Sequence, residues 1–276
     1  MSAFDTRSKA WLESKEQSRR MLVRDVERLA KLQDVFAAQA QHAVLIVLQG
    51  MDTAGKDGII KHVMSGINPQ GVDVYGFRQP TEEEDRHDFL WRSAKVLPAR
   101  GRIAIFNRSY YEEVLVVRVQ PDLLGEESTK VVPDLWQQRY EDINAFERHL
   151  SRSGTITLKF FLHLSWEEQR KRLLARLEKP KKMWKLSDAD LQTHHRWNAY
   201  AAAYCEAIAN TSTLWAPWYV VPSDRKWVAR AVVGTILNET LESLALSYPE
   251  PPPDKLRRYA EIVHQLKAEA SSEPPP

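Results

Sequence analysis

LQGMDTAGKDGIIKHVM, residues 48–64, decides how the rest of the chain is read. Gly50, Gly55 and Lys56 have the GxxxxGK spacing of a phosphate-binding loop. The apolar run before them, residues 43–49, reads as a strand buried on both faces. A strand, this loop and then a helix, expected over about 56–65, form the context that gives the motif meaning. The glycines let backbone N–H groups turn toward a phosphate, and the helix N-terminus adds partial positive charge. Gly50, Gly55, Asp57 and Gly58 are therefore candidate substrate contacts, with Lys56 reaching the terminal phosphates.

Two carboxylates inside a polyanion site need a reason. Asp57 stands where the usual Ser or Thr would hold a magnesium ion. It either turns away to favour the first turn of its helix or belongs to the site. Asp52 lies within the turn, and a carboxylate beside phosphates makes sense when a hard divalent cation sits between them. The loop thus implies Mg²⁺ with Asp52 as a ligand; the competing reading of Asp52 is an Asx-turn that stabilises the loop.

Outward from the loop, strands alternate with helices. VDVYGF (72–77), IAIF (103–106), TITLKFFLHLS (155–165) and WYVV (218–221) read as further strands. Thr81 with Glu84 makes a capping box for a helix expected to run to about Leu97. Helices are also expected from Ser109, from about Pro133 to Arg152, from Ser165 to before Pro180, from Ser187 onward and from Asp224. This pattern predicts a three-layer α/β/α domain with a mainly parallel sheet over 41–248. Residues 1–40 read as an N-terminal helical extension whose stripe of Leu12, Leu22, Val26, Leu29 and Val35 could pack on a second subunit. Residues 249–276 read as a Pro-rich and helical tail.

The crevice above the strand ends is where such folds bind ligands. There the third strand ends at Asn107, followed by Arg108, Ser109, Tyr110, Tyr111, Glu112 and Glu113. Asn107 carries no charge, so Glu112 or Glu113 is expected to compensate. Glu112 divides between a cap on Ser109 and a metal or base role. Arg108 reads as a phosphate fork. Arg78 and Arg118 are further candidates, while His87 and Trp91 read as helix packing.

Glu167 to Lys185 concentrates positive charge. Glu167–Lys171 and Glu168–Arg172 have i,i+4 spacing, and Leu173, Leu174 and Leu177 form an expected core face. Arg170, Arg176, Lys179, Lys181, Lys182 and Lys185 are left over and read as an anion-gripping lid at about 167–190, set against a plain solvated surface, with Arg172, Arg176, Lys179, Lys181 and Lys182 as its expected substrate contacts.

The 276 residues carry a formal charge of only +2, so any basic site is local. The basic run lacks interleaved aromatics apart from Trp184, which argues against nucleic acid. The single cysteine, Cys205, excludes an intrachain disulfide and reads as a small buried residue. AVLIVL is too short for a membrane span and the N-terminus lacks an apolar signal region, so a cytoplasmic protein is expected. His194 and His195 lack companion ligands for zinc.

GMDTAGKDGIIKHVMSGINPQGV, HDFLWR, FNRSYYEEVLV and APWYVVPSDRKW together resemble the type 2 polyphosphate kinase family over about residues 40–245. The resemblance implies a thymidylate-kinase-like P-loop fold and Mg²⁺-dependent transfer of the terminal phosphate of inorganic polyphosphate to nucleotides. Carried over by position, Asp52, Lys56, Asn107, Arg108 and the lid arginines form the active site, and Asp52 and Glu112 are expected to hold Mg²⁺ or align the acceptor phosphate. Asn107 followed by Tyr-Glu resembles the subgroup that phosphorylates AMP as well as ADP. Adenine nucleotides are the implied acceptors, guanine stays open, and a homodimer or homotetramer is implied. An ATP-dependent kinase of the same fold and a non-catalytic nucleotide- or polyphosphate-binding protein are the competing readings.

Overall fold

The computed structural model describes residues 4–123, 134–183 and 188–269. It has two compact units, 1–246 and 247–276. In the first, five strands form one sheet: β1 (Ala43–Gln49), β2 (Val72–Gly76), β3 (Ile103–Asn107), β4 (Thr155–His163) and β5 (Trp218–Pro222). Their order is β2-β3-β1-β4-β5, and every neighbouring pair is parallel. The helices are α1 (Lys15–Gln39), α2 (Lys56–Val63), α3 (Glu82–Asp85), α4 (Trp91–Ala94), α5 (Glu112–Val119) and α6 (Leu135–Arg152). They continue as α7 (Trp166–Leu177), α8 (Pro180–Met183), α9 (Asp188–His195), α10 (Trp197–Thr211), α11 (Lys226–Glu242) and α12 (Pro253–Glu269).

Every residue of β1 is buried, because helices cover both of its faces. Val44, Ile46 and Leu48 meet Leu29 and Phe36 of α1, Ile59 and Val63 of α2, and the apolar side of α11. Leu45 and Val47 point the other way, toward Val114 of α5, Ile143 of α6 and Ala203 of α10. The period-two alternation of the pleat thus makes two cores from one strand. Each fully buried Val, Leu or Ile here contributes about 1.5–3 kcal/mol.

The second core contains a polar network. Lys159 of β4 and Glu147 of α6 are fully buried and meet at 2.5 Å. The Tyr110 and Tyr111 hydroxyls donate to Glu147 at 2.8 and 2.9 Å. Lys159 also donates to the Thr211 carbonyl at 2.7 Å. Every charge is met, as burial demands.

Several expected elements take a different form. The 81–97 helix is two short ones: the Thr81 capping box forms, but the Asp88 carboxylate accepts from the Leu90 N–H at 3.0 Å and turns the chain between α3 and α4. The helix expected from Ser109 begins at Glu112, and its N-cap, Tyr111, makes no side-chain cap bond. The helix expected past Ser187 is two, divided at Arg196; Ser187 lies outside the described residues. Asp224 does not cap α11, whose N-cap is Arg225; its carboxylate accepts from the Ser165 N–H at 2.8 Å. Lys171 pairs with Glu168, not Glu167. Of the expected apolar face of α7 only Leu173 is buried, with Leu174 and Leu177 exposed. Cys205 is half-buried.

The stripe on α1 is partly taken up within the chain, with Leu22, Val26 and Val35 left half-buried. Leu29 and Phe36 are buried in the first core. The Ser18 hydroxyl donates to the Trp227 carbonyl at 2.9 Å, and Asn238 of α11 donates to the Asp25 carbonyl at 3.0 Å. The second unit is described by α12, whose residues are all exposed.

Candidate active site

Parallel pairing brings the ends of β1 and β3 side by side, with Leu48 opposite Asn107. Strand order reverses direction around β1, so a crevice opens at this end of the sheet. The loop from Gly50 to Gly55 lines it. Gly50 has φ +152° and Gly55 φ +115°. At Gly50 a Cβ would also stand 2.9 Å from the Leu162 carbonyl, so no side chain fits. Thr53 and Arg108 are held at φ 68° and 65°, left-handed values that non-glycine residues seldom adopt. Such strain persists only where surrounding contacts impose it.

For Arg108 those contacts are two carboxylates. One guanidinium nitrogen donates to Asp52 at 2.6 Å and another to Glu112 at 3.1 Å. Glu112 and Asp52 hold the Arg108 pKa above its already high ordinary value, outweighing burial. Asp52 therefore takes a guanidinium rather than closing an Asx-turn, and Glu112 bonds Arg108 rather than capping at Ser109. Glu113 faces away and pairs with Arg139 at 2.7 Å, which removes it from the site.

Lys56 is buried and turned back onto its own loop, donating to the Gly50 carbonyl at 2.6 Å. Burial, aided by Arg108, lowers its pKa to about 8. Asp57, in the first turn of α2, accepts from the Asn107 amide at 3.0 Å. Asn107 thus ties the β3 end to the P-loop helix.

Helix α7 fixes the loop from the other side. Arg172 is buried and donates to the Thr53, Ala54, Ser223 and Asp224 carbonyls at 2.9, 3.1, 2.6 and 3.0 Å, and to Glu168 at 2.8 Å. These bonds occupy its fork, so Arg172 is a structural clamp and not the chain-tracking residue the charge pattern suggested. Gln169, fully buried, donates to the Asp52 carbonyl at 3.2 Å and bonds His194 Nδ1 at 2.7 Å.

Arg118 is engaged away from this cluster. Arg118 donates to the Tyr140 hydroxyl at 2.7 Å and pairs with Glu206, an arrangement between α5, α6 and α10. Arg78 is exposed, Arg176 half-buried, and Lys179 and Lys181 exposed. The side chain of Lys182 lies outside the described ones. His87 is exposed and stacks on Trp91 at 3.8 Å instead of packing inside a helix.

Sequence reasoning missed Gln169, Tyr200 and Tyr204, while the expected Glu168–Arg172 pair forms at 2.8 Å. Tyr204 is buried against Gly50, Glu112, Arg108 and Asp52, and burial together with Glu112 pushes its phenol well up. Its only sequence signal was an i,i+4 pair of tyrosines, Tyr200 and Tyr204, on one helix face.

A P-loop on a five-stranded parallel sheet, with a lysine at the helix start and paired carboxylates opposite, defines a P-loop phosphotransferase. A family model described as Polyphosphate kinase 2 matches residues 12–248. An ADP-polyphosphate phosphotransferase of Rhodopseudomonas palustris is 48% identical over 96% of this chain and 93% of its own. An AMP/ADP-polyphosphate phosphotransferase of Meiothermus ruber is 50% identical over 81% of each chain. The crystal structure of polyphosphate kinase 2 from Arthrobacter aurescens superimposes with TM-score 0.88 at 39% identity, covering 96% of this chain and 92% of that one. The chain belongs to the polyphosphate kinase 2 family. The match takes in the whole of α1, whereas the motifs that carried the resemblance begin near residue 40.

Proposed function

We propose that this protein transfers the terminal phosphate of inorganic polyphosphate to ADP and to AMP. The observation that carries the reading is the Asp52–Arg108–Glu112 triad, placed beside Lys56 in a loop whose usual hydroxyl is Asp57. Relatives of similar identity are named for ADP alone and for AMP with ADP. The AMP activity rests on the likeness of Asn107 and the Tyr-Glu pair to the subgroup that uses both acceptors.

Lys56 exchanges the Gly50 and Met51 carbonyls for phosphate oxygens and draws charge from the transferred group. Arg108 uses two of its N–H groups on carboxylates and has others for the nucleotide phosphate. Asp52 and Glu112 are hard oxygen donors brought together on one guanidinium, which suits a cation of the Mg²⁺ type that takes one or two carboxylates and completes its shell with water and phosphate. No cluster of three or more metal-ligating side chains occurs among the described residues. When bound, Mg²⁺ screens the repulsion between the two phosphate chains. The backbone N–H groups of the loop and the α2 N-terminus hold the phosphates in line for attack. Lys179, Lys181 and Arg176 extend the positive surface along the polyphosphate, with residues 167–190 as its lid.

No helix among the described residues is long and apolar enough to cross a membrane. A cytoplasmic location and assembly as a homodimer or homotetramer are part of the proposal, the latter on family likeness alone. The test incubates the protein with Mg²⁺, polyphosphate and either AMP or ADP, omitting ATP. ADP and then ATP from AMP supports the full reading; product from ADP alone removes the AMP activity; turnover only with ATP as donor removes polyphosphate.

A further inference from the structure

Behind the P-loop helix, on the side away from the crevice, α1, α2 and α11 enclose a groove of about 850 Å³. Its wall is apolar, made by Leu22, Val26 and Trp227, and cations stand on it. Arg230 of α11 is half-buried and makes no hydrogen bond or ion pair among the described residues. Burial alone lowers its pKa. A guanidinium drawn from water without a partner is costly, and an anionic ligand removes that cost. Its terminal nitrogen lies 3.8 Å from the point where a Cβ on Gly58 would stand, so it rests on the first turn of α2. One turn on, burial and then Arg230 and Lys61 lower the pKa of His62. Lys15 and Arg19 of α1 complete the basic side, facing Glu16 and Glu27, and Glu16 is itself engaged with Arg20 at 3.8 Å.

We propose that this groove is a second binding site for an organic phosphate of nucleotide size, its anionic end on Arg230 and its aromatic or apolar body against Trp227 and Leu22. The volume falls within the range of about 300–1,000 Å³ usual for small-molecule sites. The apolar wall favours a ligand with a body over a bare inorganic chain. Because Arg230 and His62 both lie against α2, whose N-terminus carries Lys56, occupancy here bears on the same helix that holds substrate phosphate. This site goes beyond the transfer reaction and does not rest on it.

The test uses the full chain with ADP as probe, polyphosphate absent and EDTA present so that nothing turns over. Equilibrium dialysis counts bound ADP, and NMR follows the His62 ring. The expected count is two ADP per wild-type chain and one for Arg230→Gln, which keeps its turnover with polyphosphate. ADP bound at Arg230 screens its charge, so the His62 pKa rises in wild type and does not respond to ADP in Arg230→Gln. Arg108→Ala, which takes away the proposed nucleotide-phosphate contact, removes the other ADP and leaves the His62 response, so failure of the proposed active site is read separately. No His62 response to ADP in wild type, or a count of bound ADP unchanged by Arg230→Gln, overturns the site. So does a His62 response equally produced by inorganic tripolyphosphate, since that would make the ligand a bare phosphate chain.

Discussion

Lys159→Met isolates what the buried pair under the active site contributes. Lys159 and Glu147 are both fully buried at 2.5 Å. The substitution removes the cation facing Glu147 but leaves both tyrosine hydroxyls donating to it. Breaking one side of such a pair costs about 3–5 kcal/mol. For a domain of this size that lowers Tm by about 6–20 °C. The loss depends on pH with a definite sign. Burial raises the Glu147 pKa above the ordinary 4.5, and Lys159 opposes that rise. A raised carboxyl means the native state binds more protons than the unfolded one between the two values, so stability falls as pH rises through that window. Without Lys159 the folded value moves higher and the window widens. The deficit relative to wild type should thus be greatest near pH 8 and shrink toward pH 5, followed by circular dichroism melts. Adding Glu147→Gln, which keeps an acceptor for the tyrosines, should recover most of it. A Tm unchanged at pH 8, or a deficit that grows toward pH 5, would refute the reasoning.

Three further outcomes follow from the site. Lys56 has a pKa of about 8 in the free protein, so phosphate affinity should fall as pH rises through 8, and Lys56→Arg should flatten the profile in a fluorescence binding titration. Arg172→Met strips donors from four loop carbonyls; losing even two such charged bonds costs about 3–6 kcal/mol. Its melting temperature should drop together with nucleotide binding, whereas a residue that merely tracked polyphosphate would raise the KM for the donor and leave Tm alone. Asp52→Asn should raise the Mg²⁺ concentration for half-maximal rate about tenfold, or about 1.4 kcal/mol; an unchanged Mg²⁺ dependence would remove Asp52 from the metal.

Much of the fold was legible because parallel strands covered on both faces write themselves as largely apolar runs, uninterrupted in residues 43–48 and broken in β4 by Thr157 and Lys159. The loop was legible because its glycines are dictated by backbone geometry. Helix breaks were harder: Asp88 bends the 81–97 segment through a bond to Leu90 N–H, and nothing in a helical periodicity count registers it. Charge misled at Arg172, where four carbonyls from two distant loops converge. Local sequence holds no trace of partners 51 to 119 residues away. The same holds for Tyr204, which meets Gly50, Arg108 and Asp52 only through the fold.

The transfer reaction itself is tested most directly with uniformly ³²P-labelled polyphosphate and unlabelled ADP. The account predicts ATP labelled in its terminal phosphate alone, in amounts matching the polyphosphate consumed. ATP that stays unlabelled while ADP disappears would contradict it, because the phosphate would then come from a second nucleotide.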